Sequence, residues 1–309
     1  MTNGVACAFG ANDAGNVVFS GGDYLIDNSA GALNVSNFTG TVKFTNGSRL
    51  VMGDNTKGGI AFSGGAGLVI ENPRIAYRTA TASRTNLTAL EFDQTTDTRL
   101  TRPYIEDSPG AGILFSQCIR PRVSDALIIT SQADGLTFAN CLDPQAVGLE
   151  TLATGDDAFS VINYTSGANN NGGFAAMLHL KNSKGNGIKI AGQSDFIVSD
   201  FEIDGTASDG VIVTTDSGYG TQVPARVTVQ KGQIKNVGAV TPHAGNQAGI
   251  EFTAVGAGIV FRDIQIFAPL GRGVSGIAAS GEVTIENIKV VGSGNDGAFQ
   301  LSAQTLTAH

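Results

Sequence analysis

Three aspartates stand where spacing and chemistry coincide. Asp156 and Asp157 form a doublet in the run Thr154-Gly155-Asp156-Asp157-Ala158-Phe159, and Asp134 precedes Gly135-Leu136. Asp134 and Asp157 are 23 residues apart, an interval that recurs along the chain. If that interval is one turn of a solenoid, the three carboxylates share a patch roughly 5–8 Å across, given strands stacked about 4.8 Å apart. Like charges that close raise the pKa of at least one of them. A protonated acid beside an ionised base is the pair that glycoside hydrolysis uses. Plain turn chemistry is the competing reading, since Asp-Gly and Asn-Gly before a strand cap turns. It applies to Asp134, Asn186 and Asp209 singly and less readily to the doublet.

Further polar residues fall near this patch. Asn186 and Asp209 continue the column of Asp134 and Asp157 in the next two repeats. Together with Lys189, His179, Tyr164 and Tyr219 they are the candidate substrate-binding set. The tyrosines are candidate sugar-stacking rings, because an aromatic face with a polar tip suits a half-wet site. His243 lies in a loop insertion and is weaker. With three His and three scattered Cys there is no transition-metal constellation. The expected cofactor set is therefore none. A Ca²⁺ ion held by Asp134, Asp156 and Asp157 is the alternative, since hard oxygen ligands suit it. Such a site would point to a lyase, with Lys189 or Arg226 as base.

The elements that must position these residues follow from a repeated phrase. A Gly or Ala precedes an apolar, free, apolar triplet at 112–115, 135–138, 158–161, 187–190 and 210–213. From Ile113 to Leu136 to Phe159, and from Ile188 to Val211, the step is 23 residues; from Phe159 to Ile188 it is 29. A fixed period of this size means a solenoid. Each repeat reads as three short β segments with bends and no helix-length periodic stretch. The fold class is all-β: a right-handed parallel β-helix with three strands per coil, spanning 1–309 as one domain or as a fragment of a longer chain.

The same ruler predicts the core. One inward column is Leu90, Ile113, Leu136, Phe159, Ile188, Val211, Ile250, Ile277 and Phe299. Phe92, Phe115, Phe138, Val161, Ile190, Val213 and Phe252 form the second. Gln94, Gln117, Asn140 and Asn163 predict a coil-to-coil amide ladder. Strict alternation from Leu136 would point Asp134 inward, so a site on the outer face requires a bend before that strand. Three insertions break the period, at 164–173, 216–223 and 239–248. All border the first-strand face and would wall a groove over it.

The run Gly155-Asp156-Asp157, with Asp134 one coil before it, resembles the polygalacturonase family (glycoside hydrolase family 28) of the pectin-lyase-like β-helix superfamily. The resemblance implies an inverting hydrolase. Asp157 would be the general acid, and Asp134 and Asp156 would hold the water. The family's Gly-His-Gly step corresponds to Gly185-Asn186-Gly187, so its His is missing. Its Arg-Ile-Lys step would fall near 211–213, where no basic pair stands, and Lys189 lies one coil too early. Phage tailspikes and capsule depolymerases are also similar in their Gly/Asn/Thr-rich coils. The expected partner is thus a polysaccharide, met outside the cell or on a virion surface. Polysaccharide lyases or epimerases, and a non-catalytic adhesion module, are the alternatives.

Composition narrows the classes. Charged residues make up only 15% of the chain, and 42 glycines fill much of the gap, which suits tight turns and disfavours long helices. A net charge of −8 argues against nucleic acid as partner. No apolar run is long enough to span a bilayer, and 1–10 lacks a signal-peptide pattern. Cys118 and Cys141 share a column, as two small buried residues or as a disulfide. An end without an obvious cap predicts a fragment, or a homo-oligomer such as a trimer that covers it.

Overall fold

The structure is a computed structural model that describes residues 14–79, 83–167, 171–239, 247–277, 281–294, 299–301 and 306–308. These residues contain β-strands and no helix. Every strand pairing is parallel, and the chain coils between two sheets. A narrow sheet of 11 strands collects the repeated triplets, most as four-residue strands such as Leu136–Ala139 and Phe159–Ile162. A wide sheet of 16 strands collects the remainder of each coil.

The register follows the 23-residue ruler. Leu90, Ile113, Leu136, Phe159, Ile188, Val211 and Ile250 are successive partners in the narrow sheet. They lie inside one continuous apolar core with Phe92, Phe115 and Phe138. Those three rings stack with centroids 4.4 and 5.3 Å apart, which is worth about 1 kcal/mol per pair beyond their area burial. Alternation then sends Glu91, Thr137, Ser160, Lys189 and Glu251 outward in one column.

One expectation needs correction, and two details are sharpened. After Phe252 the register shifts: Ile250 pairs with Val274 and Phe252 with Gly276, so Val274 rather than Ile277 continues the first column. A Cβ at Gly276 would overlap the Phe252 ring; the glycine is a core position and not the start of a repeat. The second and third strands of each coil also fuse from Arg122–Ser131 onward into one strand of eight to ten residues, bent at a left-handed residue. Asp125, Gly148, Met177, Asp200, Lys231 and Asp263 hold that corner with φ between 53° and 73°. Upstream, Arg99–Thr101 and Tyr104–Ser108 remain separate and both pair with Arg122–Ser131. In the amide column, Gln94, Gln117 and Asn140 adopt φ of 51–54° as corner residues, and the Asn140 side-chain oxygen accepts the Tyr164 amide at 2.7 Å. Cys118 and Cys141 are buried free thiols.

Candidate active site

The narrow sheet brings Asp134, Asp156 and Asp157 together. One carboxylate oxygen from each lies within 4.8 Å of the others. Asp134 sits just before Leu136–Ala139, yet its carboxylate does not enter the core. The bend at 132–134 turns it over the outer face, where its Oδ2 accepts from Thr137 Oγ1 at 2.8 Å and Ser160 Oγ at 2.9 Å. Thr137 and Ser160 occupy adjacent outward positions and are 2.8 Å from one another.

Asp157 is 5% exposed. Its Oδ1 accepts two hydrogen bonds from Asn186, from the backbone N–H and from the side-chain amide, both at 2.8 Å. Among the described residues its Oδ2 has no hydrogen-bond partner. Asn186 in turn accepts the Asp209 amide at 3.0 Å, and Asp209 accepts the Ala248 amide at 2.7 Å. Each side chain thus caps the turn of the next coil, so the turn role applies to Asn186 and Asp209. Both are buried in this ladder and are not presented to the groove. Asp157 starts the ladder with one oxygen and keeps the other for the site.

Electrostatics follow from that crowding. Burial, then the charges of Asp134 and Asp156, push Asp157 up to about 8. Asp134 is also raised, by burial and then by Asp156, against the two hydroxyl hydrogen bonds. Burial and then Glu251 raise Asp209 to about 7. Two cations flank the cluster. Arg84 pairs with Asp156. Lys189 lies beside Ser160 and bonds Asp216 at 3.1 Å; burial opposes its charge, but Asp157 and Asp216 more than offset this and hold its pKa above the ordinary value.

Backbone packing keeps the doublet in place. A Cβ at Gly185 would come within 2.5 Å of Asp156 Oδ1 and 2.7 Å of Asp157 Oδ1. The glycine before Asn186 is therefore required by the carboxylates, independently of turn conformation.

Loops wall the strip on both sides. The insertions at 164–173 and 216–223 join as one wall: Tyr164 bridges Thr221, and Thr165 N donates to Gly220 O at 2.9 Å. Tyr164 is partly buried, and burial followed by Asp134 raises its hydroxyl. The Tyr219 ring is 70% exposed and covers Lys189 Nζ at 5.4 Å. The third insertion, His243 included, lies mostly outside the described residues. Opposite, the segment between Arg74–Tyr77 and Leu90–Asp93 supplies Arg84.

His179 is not brought to the site. It lies on Phe174–Ser183 of the wide sheet, 3.8 Å from Glu202. Arg226 is likewise remote in role, paired with Asp195 at 2.5 Å. Arg84, Thr137, Ser160 and Asp216 belong to the site and were not among the expected residues. Arg84 had one visible signal: Ile60 to Leu90 is a step of 30 rather than 23 residues, marking an extra segment beside the first-strand face.

No family model and no curated protein matches the sequence. Solved structures do match the fold. A polygalacturonase from Erwinia carotovora ssp. carotovora superposes with a TM-score of 0.69 at 15% identity, covering 95% of this chain and 89% of the enzyme. The catalytic unit of a thermostable α-1,3-glucanase from Streptomyces thermodiastaticus gives 0.66 at 14% identity, over 95% of this chain and 62% of that one. The receptor-binding tailspike of bacteriophage Det7 gives 0.51 at 12% identity, over 95% and 68%. In fold the chain is a right-handed parallel β-helix, and at these identities the likeness is one of fold alone.

Proposed function

We propose that the chain is a glycoside hydrolase that cleaves an extended polysaccharide laid across the narrow sheet. The observation that carries this reading is Asp157: nearly buried, pushed up to about 8 beside two other carboxylates, with one oxygen engaged and one open. Because Oδ1 accepts two N–H donors, the proton of the neutral acid belongs on Oδ2. From there it passes to the glycosidic oxygen as the bond from that oxygen to the anomeric carbon breaks. A water held by Asp134 and Asp156 adds to the anomeric carbon and gives its proton to one of them. The products are a new reducing end and a new hydroxyl.

Three supports converge on this reading. The outward hydroxyls of Thr137 and Ser160 orient Asp134. Arg84 pairs with Asp156. The fold is shared with a polygalacturonase and an α-1,3-glucanase, although their substrates are their own. The setting would be outside a cell or on a virion, where such polymers are met. The resemblance implies inversion, yet oxygens within 4.8 Å are nearer the roughly 5–5.5 Å of retaining pairs than the roughly 6.5–9.5 Å of inverting ones. Proton NMR of the first-formed anomer distinguishes the two.

A calcium-dependent lyase is the second reading, favoured by the same three carboxylates, Asp134, Asp156 and Asp157, which would hold such an ion with hard oxygen ligands. Arg84 and Lys189 weigh against it, because they already supply positive charge to the cluster. The test is incubation with a panel of polysaccharides, with and without chelator. The hydrolase reading expects reducing ends without ultraviolet-absorbing product, insensitive to chelator, and lost in Asp157→Asn. An unsaturated, ultraviolet-absorbing product whose formation stops in chelator establishes the lyase instead.

A further inference from the structure

The outward strip of the narrow sheet carries a lopsided set of charges. Besides the three clustered aspartates, Glu91 and Asp93 lie upstream on Leu90–Asp93. Asp216 and Glu251 lie downstream, Glu251 on Ala248–Thr253. Leaving out Asp157, whose role requires the neutral form, six carboxylates face the strip, and the basic residues that face or border it among the described residues are Arg84, Lys184, Lys189 and Arg272. Arg84 is committed to Asp156 and Lys189 to Asp216. Arg272 acts on Glu251, and Lys184 stands on the exposed turn before Gly185. Glu91 and Glu251 share the same outward column six strands apart, roughly 29 Å at the spacing of stacked strands. Acids therefore stand at both ends and at the centre of this stretch, and the one cation in the outward column between them, Lys189, is bonded to Asp216.

We infer that the polymer bound along the narrow sheet is uncharged, a neutral glycan rather than a uronate- or sialate-bearing one. The inference rests on the hydrolase reading for the location of the bound chain. A polymer with a carboxylate on each sugar would set like charge against the acids at both ends and at the centre of the strip. Arg84 and Lys189, the two cations that flank the cluster, are already paired, and low-dielectric walls strengthen the repulsion. What the strip offers is suited to a neutral sugar. The outward side chains of Leu114 and Ile212 meet apolar ring faces, Thr137 and Ser160 offer hydroxyls, and the exposed ring of Tyr219 is free on the side away from Lys189. The clustered acids do the chemistry and reject an acidic polymer by the same charge.

Affinity electrophoresis of the Asp157→Asn protein tests this directly. The gels contain polygalacturonate, its carboxyl-reduced neutral counterpart, alginate, polysialate, α- and β-glucans, or mannan, each run in chelator and again with calcium. The expected result is retardation by at least one neutral polymer and by no acidic one, nearly independent of salt. Tyr219→Ala in that background weakens the retardation about five-fold. Retardation by any acidic polymer in either condition, or by no neutral polymer, overturns the inference. Reducing ends released by the wild-type protein from each retained polymer are measured in parallel. Retention of a neutral polymer without cleavage would sink the hydrolase reading and leave the inference standing.

Discussion

The outer faces of the two sheets use the same coil spacing to opposite ends. On the wide-sheet side, carboxylates meet cations one coil away: Asp23 with Arg49, Asp97 with Arg120, Asp195 with Arg226, and Glu202 with Lys235. These pairs are exposed, and the partner's hydrogen bond holds each of the four acids below its ordinary pKa. On the narrow sheet, carboxylates meet carboxylates. Asp134, Asp157 and Asp209 are raised by burial first and by a neighbouring acid second. A solenoid places equivalent residues about 4.8 Å apart whether they attract or repel. Alternating signs give a solvated, mildly stabilising ladder. Repeated acids give a patch that opposes folding, the arrangement expected of a functional site.

Replacing Asp157 should separate the two faces most strongly. Asp157→Asn preserves shape and the bonds to Asn186, but has no proton to give. Hydrolysis should fall about 10²–10⁴-fold, while the melting temperature at pH 8 should rise, because a buried acid has been neutralised. Calorimetry beside a reducing-end assay reads both. A large loss of stability with unchanged activity would place Asp157 among the structural turn residues.

The pH dependence of stability gives the next largest contrast. Asp157 has a folded pKa raised to about 8 from 3.8. Its favourable contribution is complete below the unfolded value and is lost as pH rises through about 8. For Asp97 and Asp195 the folded value is depressed, so their contribution is present above the unfolded value and is lost as pH falls through the folded one. Between pH 5 and pH 9 the wild-type melting temperature should therefore decline, and that of Asp157→Asn should decline less. Parallel curves for the two proteins would contradict the assignment.

Gly185→Ala is expected to act more moderately. Its new methyl meets Asp156 and Asp157, so about 1–3 kcal/mol of stability should be lost through overpacking. The carboxylate spacing should loosen, with activity down about 10–100-fold by the cost of misplacement. Smallest of all is Arg120→Gln on the other face, where both partners are exposed. Neither activity nor melting temperature should move measurably, and salt should not change that outcome.

Much of the fold could be read from the sequence because a parallel solenoid converts spacing into contact. The step from Leu136 to Phe159 gives the register of the whole narrow sheet, and it stacks Asp134 on Asp157. The ruler fails where the register is decided by packing. Gly276 resembles the start of a repeat, but it is the hole that the Phe252 ring fills. It also fails where a bend reverses parity, so that Asp134 faces outward against strict alternation. Arg84 could not be assigned to Asp156 from sequence, because 72 residues separate them and no periodicity links them. Only the long step around that segment hinted at an extra wall. His179 was misleading for the converse reason: it is close to Asn186 in sequence, but at 174–183 the chain still runs on the wide sheet.

The central claim is that Asp157 is a neutral acid at physiological pH beside two further carboxylates. Carboxyl ¹³C NMR titration, with Asp157→Asn identifying the resonance, measures this with no substrate at all. A midpoint near 8 is the expected result; titration near the ordinary value of about 4 would contradict it.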